Sequence, residues 1–509
     1  MPAAICCCPV DYLFGGEDEK EKGSTYPNGV SEVVTQAVVG RATYDFRGKY
    51  LAEFTFRYDG SNKYKPGANQ WGFFPGFFAG WVVSREPWFD KLVNPKYISN
   101  LKIRGSYGIT GDDGTTGFQY IDGFNYPTIN PNDNSIYGYL FNGQFIKGSA
   151  MRDAVNPNLT WFTAHTSNIG LEFTTLNGKL DVVAEVYRRD RKGLPARKTV
   201  AIPGTAGIEL AQENLDSDRT QGWELQLTHR NRINDFGINI TGNFSQARTQ
   251  MLDVIQGRAG NEFENWKSQR SNRFTNIWWG KDYAGQFTSY EQIYNHKVNT
   301  GGGNNNVIPG DYYYQDWNED GVIDGRDDHP IATRDIPLVN FGLTIGVTWK
   351  GVDFSALFAG VTGVNIMYEE QFLEPLMYDR SALTQFLNSW HTVNPDDNVF
   401  DPNTKWVPGK YPAMGSPKPE GTKAVQDGSY VRLKSIELGY TLPQSLLKRI
   451  SMKNCRFYVN AYNLLTFTKL RNSDPEHPGQ QPDAGFQYGL GGYKYPLNRT
   501  FNVGASITF

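Results

Sequence analysis

The last nine residues, "FNVGASITF" (501–509), alternate without a break. Phe501, Val503, Ala505, Ile507 and Phe509 fall on one side of an extended strand, and Asn502, Gly504, Ser506 and Thr508 on the other. Period-two alternation marks a strand with one apolar and one polar face. Chain termini are usually frayed and polar, because little holds them down. A final strand that ends on a bare phenylalanine is a structural commitment.

The same alternation recurs up the chain. In "YLAEFTFRYDG" (50–60), Tyr50, Ala52, Phe54, Phe56 and Tyr58 share a face. "IGLEFTTLNGKLDVVAEVYRRD" (169–190) reads as two strands about Asn177-Gly178, a strong hairpin signal. Residues 222–245 repeat the arrangement about Asn234-Asp235, and residues 339–361 about Lys350-Gly351. About 13 strands are predicted, starting near 36, 50, 73, 100, 160, 179, 220, 236, 338, 352, 429, 455 and 499.

Connection lengths alternate too. Tight turns near 48, 177, 234 and 350, and shorter connections near 85–99 and 443–453, take turns with long polar stretches: 61–71, 111–158, 191–218, 249–336, 365–427 and 467–498. Long loops are uncommon in compact domains. Long loops at every second crossing are the pattern of a membrane barrel, whose turns are short on one side and loops long on the other. The expected architecture is all-β: a portion of an antiparallel transmembrane β-barrel over residues 35–509, with residues 1–34 outside the wall. The segments 249–336 and 365–427 are its largest extracellular loops.

Composition agrees. Aromatics make up 14% of the 509 residues, yet mean hydropathy is −0.52 and no run of about 18 apolar residues exists to make a membrane helix. A barrel hides its hydrophobicity at every second position. Net charge is −3, without the basic stripe that nucleic-acid binding needs, so nucleic acid is excluded as a partner. Three of the four cysteines sit together at 6–8 and Cys455 stands alone, which supports neither a disulfide framework nor a zinc site. The opening has no basic and apolar signal-peptide regions, and the odd strand count has its first and last strands running the same way. Both features predict that the front of the wall is missing from this chain.

Several segments, in order, resemble one family: the SusC/RagA-type TonB-linked outer-membrane transporters. They are "YDFRGKYLAEFTFRYDGSNKY", "WGFFPGFFAGWVVSRE", "ISNLKIRGSYGITGDDG", "NIGLEF", "GWELQL", "DWNEDGVIDGRDD", "DGSYVRLKSIELGYTLP", "NAYNLLTFTK" and "YPLNRTFNVGASITF". The resemblance implies about 13 strands of a 22-stranded barrel. It also implies a location in the outer membrane among its lipids, and TonB as energy source through an N-terminal region that this chain lacks. A SusD-like surface lipoprotein would be the partner, and an oligosaccharide or peptide the substrate. In such a barrel the apolar face of 501–509, formed by Phe501, Val503, Ala505, Ile507 and Phe509, is the closing strand.

The sharpest local motif is "DWNEDGVIDGRDD" (316–328). Asp316, Asn318, Asp320, Asp324 and Asp327 fill positions 1, 3, 5, 9 and 12 of a calcium loop, with Gly321 at the sharp turn and the Val322 carbonyl at position 7. One structural calcium ion is the expectation; the alternative is an acidic turn held by Asx hydrogen bonds. Trp266, Trp278, Trp279, Tyr312, Tyr313 and Tyr314 lie in the same long loop and are candidates for stacking on a ligand, against loop packing as the plainer reading. Phe73, Phe74, Phe77, Phe78 and Trp81 fit an interfacial girdle. "EEQFLEPLMYDRSALTQFLNSW" (369–390) has partial helical periodicity. The six histidines are scattered and none has HExxH spacing, so no catalytic centre is expected. From another functional class, a secreted soluble β-rich carbohydrate-binding protein with a calcium loop shares the strands and aromatics; the terminal phenylalanine favours the barrel.

Overall fold

A computed structural model of the chain describes residues 33–125, 138–147, 150–151, 154–199, 209–300, 302–333, 336–368, 372–376, 381–447, 452–471, 473–476 and 496–509. Residues 1–32, including the three clustered cysteines, lie outside this set, as does most of the 469–499 connection. Within the set, thirteen strands run in chain order as one antiparallel sheet. They are β1 (Thr35–Phe46), β2 (Tyr50–Ser61), β3 (Trp71–Val82), β4 (Ile98–Asp112), β5 (Phe162–Thr175), β6 (Leu180–Arg197) and β7 (Gln212–Ile233), then β8 (Phe236–Asp253), β9 (Val339–Trp349), β10 (Val352–Thr362), β11 (Tyr430–Thr441), β12 (Asn454–Thr468) and β13 (Thr500–Thr508). A two-residue strand, Arg273–Phe274, pairs with β8 at Gln250 and Met251.

The predicted starts agree with these to within about two residues, except at β7. The stretch 191–218, expected as loop, is strand at both ends. Its charges and Pro195 signal a loop, but Arg191 and Asp218 stand opposite each other and form an ion pair, and Gly193 at φ 71° absorbs the register shift. The tight turns carry the backbone their residues allow. Lys350 and Gly351 both have positive φ, as the mirror-image two-residue turn requires, and Asn234 alone does so in the next case. At Asn177-Gly178 the loop is longer than expected: Thr175 pairs with Leu180, and Leu176, Asn177 and Gly178 all take positive φ.

Register gives the sheet two distinct faces. The apolar face runs Phe54–Phe77–Tyr107 across β2–β4 and Ile169–Val186–Trp223 across β5–β7. Along the short-turn rim it carries Phe46, Tyr50 and Trp81, then Phe236, Trp349, Tyr440 and Phe457. The opposite face is polar. There Arg104 joins Glu172 and Glu185, Arg41 meets Glu53, and Arg456 joins Asp353 and Glu437. Alternation also corrects the girdle. Phe73, Phe77 and Trp81 are exposed on the apolar face, whereas Phe74 points to the polar face, buried against Trp161, and Phe78 stands opposite Glu53.

At the short-turn rim Glu86 accepts hydrogen bonds from the Tyr50 hydroxyl (2.6 Å), the Trp81 indole (3.1 Å) and Lys49 (3.2 Å). These bonds, Tyr50's first, hold its carboxyl below the ordinary range. The expected helical periodicity of 369–390 yields one 3-10 turn, Thr384–Asn388, among the described residues. Its apolar residues serve instead a small cluster of Ile366, Tyr368, Phe372 and Leu470, against which Leu373 and Leu383 pack.

Candidate functional site

The sheet's long-loop rim carries two large connections, 254–338 and 363–429, and the residues proposed for binding lie here. The first is a folded unit. Helix α1 (Glu262–Ser268) starts at Asn261, whose side chain accepts the Glu264 amide, and α2 (Tyr290–Asn295) starts at Ser289, which accepts the Gln292 amide. Strand pairs Ile277–Gly280 with His329–Thr333, and Tyr283–Gln286 with Tyr312–Tyr314, close it around Phe287, Tyr290 and Ile293.

Residues 420–425 of the second connection lie across the first. Thr422 donates its amide to the Lys281 carbonyl (3.0 Å) and its hydroxyl accepts the Tyr283 amide (2.8 Å). Glu420 pairs with Lys281 at 2.9 Å. Gly421 makes the crossing possible: its φ is 59°, and a Cβ there would sit 2.0 Å from the Lys281 carbonyl oxygen. The Lys423 ammonium lies 4.3 Å from the centre of the Tyr283 ring and 4.7 Å from that of Tyr312, two rings set nearly perpendicular. Burial pushes the Lys423 pKa down and the Tyr312 and Tyr314 pKa values up.

The six candidate aromatics therefore separate. Tyr313 packs on Phe287, Tyr312 on Tyr283, and Tyr314 accepts the Glu420 amide. Trp278 stands opposite Ala332 in a strand pair, half-buried. Trp279 meets Trp266 edge-on at 4.7 Å beneath Arg273. Trp266 is 38% exposed and stacks on Trp317, itself 44% exposed, which stacks in turn on His329. Trp317 sits inside the acidic motif, where the alternating oxygen side chains are the signal and the indole between them carries none of its own.

The motif's named residues come together in one turn. Asp316 accepts the Gly321 amide (2.7 Å), Asp320 the Val322 amide (3.0 Å), and fully buried Asp327 the amides of Trp317 (2.9 Å) and Asp324 (2.8 Å). Asn318 accepts the Asp320 amide. The Arg326 guanidinium bridges Asp320 and Asp324, at 2.8 Å to each. Among the described residues no three His, Cys, Asp or Glu side chains converge as a metal site. A cation of the calcium kind would have to displace Arg326.

Residues 473–476 of a third connection lie against the polar face. Arg432 of β11, only 3% exposed, holds Asp474 at 2.7 Å, and Lys434 pairs with Glu476. No sequence signal marks these pairs, which join residues 42 apart. At the far edge, Phe501, Val503, Ala505, Ile507 and Phe509 are all exposed on the apolar face, with β13 bonded to β12.

The profile of the family described as "TonB dependent receptor-like, beta-barrel" matches residues 10–464. TonB-dependent receptor P3 of Formosa agariphila is 26% identical over 498 residues, covering 94% of this chain and 46% of the relative. TonB-dependent receptor SusC of Bacteroides thetaiotaomicron is 27% identical over 483 residues, covering 92% and 43%. The chain thus spans less than half the length of these relatives. Among solved structures, the RagAB peptide importer in its open-open state superposes with a TM-score of 0.68 at 21% identity, over 94% of this chain and 47% of that one.

Proposed function

The chain belongs to the TonB-dependent receptor β-barrel family, with SusC/RagA-like relatives, and on that premise we propose that it supplies barrel wall to an outer-membrane importer of oligosaccharides or peptides. In this reading the polar face lines the transport path, the apolar face meets lipid, and the welded 254–338 and 363–429 loops form the platform on which cargo is received. TonB is the proposed energy source and a SusD-like surface lipoprotein the proposed partner. Exposed Trp266 and Trp317 are the residues proposed to stack on cargo, and 316–328 is proposed as a calcium-dependent brace for that platform.

The observation that carries the proposal is the two-faced register. Exposed apolar side chains predominate on one face, with an aromatic rim at the short turns, and ion pairs on the other, an arrangement suited to lipid outside and water inside. It also disfavours a soluble carbohydrate-binding protein, since apolar residues as exposed as Ile169 (68%) and Val503 (83%) lie on that face. The test is fractionation of the native protein, with heat-dependent mobility on a gel and growth of a deletion strain on candidate glycans and peptides. A heat-shifting outer-membrane species whose loss abolishes growth on one cargo class is expected; a soluble species without mobility change refutes it.

A further inference from the structure

Where the apolar face ends, at the long-loop side, three neighbouring strands carry arginines outward. On β7 the outward positions run Ile233, Asn231, His229, Leu227, Leu225 and Trp223, then turn polar at Gln221 and Arg219. Ile233 to Trp223 spans ~33 Å of strand at ~3.3 Å per residue. At a tilt of about 40° this is ~25 Å of height, the apolar band of an outer-membrane barrel. Trp223 therefore marks the outer interface. It stacks on Phe244 at 4.8 Å and donates its indole N–H to Gln246.

Directly above, Arg188 of β6, Gln221 of β7 and Arg248 of β8 stand side by side in register, with Asp190 and Arg219 one step higher. Asp190 accepts from both Arg188 (2.7 Å) and Arg219 (2.8 Å), which fixes two guanidinium groups while leaving Arg188 half exposed. Arg248 lies 3.6 Å over the Phe274 ring and pairs with no carboxylate among the described residues. Three cations against one carboxylate leave a surplus of two positive charges facing the interface. Arg188, Gln221 and Arg248 line the upper part of a depression of about 640 Å³ whose lower row is Ile169, Val186, Trp223 and Gln246, with Arg219 one step above its upper edge. Its cationic top and apolar floor have the polarity of an anionic amphiphile.

We propose that this depression holds one lipid of the outer leaflet, its phosphorylated headgroup gripped by Arg188, Arg219 and Arg248 and an acyl chain lying over Ile169, Val186 and Trp223. The inference rests on the outer-membrane reading above. Guanidinium forks match phosphate oxygens, and a site at the edge of the apolar band strengthens such bonds. Free phosphate would leave the apolar floor bare. A second copy of this face would bring like charges together.

The native protein, extracted from outer membranes and stripped of lipid, is titrated in detergent with a diphosphorylated glycolipid and with phosphatidylcholine, and read by native mass spectrometry. At least about tenfold preference for the phosphorylated lipid is expected, reduced about tenfold by the combined Arg188→Gln, Arg219→Gln, Arg248→Gln change. The corresponding triple lysine variant, which keeps the charge but loses the guanidinium forks, recovers only part of the difference between the glutamine variant and wild type. Equal binding by wild type and glutamine variant overturns the proposal, as does full competition by inorganic phosphate, or a glutamine variant that alters only the proportion of dimer. Wild type that shows the gel mobility shift yet takes up no phosphorylated lipid refutes this site alone. Wild type absent from the outer membrane refutes the transport reading with it.

Discussion

The two rims of the sheet are closed by opposite means. At the short-turn rim the closing residues are neighbours in sequence: Lys350 and Gly351 take the two positive φ angles between β9 and β10, and Asn234 turns β7 into β8. At the long-loop rim the closing residues are distant, as with Lys281 and Glu420, 139 positions apart, or Arg432 and Asp474, 42 apart. One rim is specified by local backbone chemistry, the other by contacts between residues far apart in the sequence. Damage at the long-loop rim should therefore loosen loops without opening the wall, and damage at the short-turn rim should do the reverse.

The largest effect is expected at Arg432. Arg432→Ala leaves buried Asp474 without its partner, a loss of about 3–5 kcal/mol for a buried pair broken on one side. Hydrogen exchange of residues 473–476 should rise to that of free chain while the heat-dependent gel shift persists; loss of the shift would break the comparison. Next comes Gly421→Ala, where left-handed backbone strain costs about 1–3 kcal/mol and the new Cβ also meets the Lys281 carbonyl. Limited proteolysis should then cut within 281–283 and 420–425 before any strand is lost.

This asymmetry also explains what the sequence disclosed. All thirteen strands were legible because each alternates, and because Asn, Gly and Lys-Gly turns are local signals. The 191–218 stretch misled because its charges resemble a loop, when Arg191 and Asp218 are ladder partners. The platform was hardly legible. Tyr312, Tyr313 and Tyr314 advertise stacking surface in the sequence, yet Tyr312 lies under Lys423 and Tyr314 accepts from Glu420, and nothing in the local pattern of either segment names the other. Trp317 was hidden by its own motif.

Lys423 sharpens the comparison through pH. Burial lowers its pKa in the folded loop, so between that lowered value and 10.5 the unfolded chain binds more protons than the folded one. Well below 10.0, where Tyr312 and Tyr314 are protonated in both the folded and the unfolded chain, the resistance of the platform to protease should therefore rise with pH, and Lys423→Met should flatten that rise; a wild-type platform that loosens over this range would refute the assignment. At the other rim, Gly351→Ala is expected to cost about 1–2 kcal/mol from its left-handed backbone. That should lower the temperature of the gel shift and leave the loop cleavage pattern unchanged.

The smallest effect is expected at Arg326, where a local device sits inside the long-range rim. The Arg326 side chain, then its own amide, hold the Asp324 pKa below the ordinary carboxylate value. The clasp is therefore intact above 3.8, and its contribution is lost only as pH falls through that lowered value. A calcium ion would compete with the Arg326 guanidinium for Asp320 and Asp324. Arg326→Ala should bind calcium about tenfold more tightly than wild type by calorimetry, with the wall unaffected. Equal, tight uptake by both would mean that Arg326 yields freely and the turn is preset for the ion. No uptake by either would leave a turn held by its amide bonds, closed by the same local chemistry as the short-turn rim.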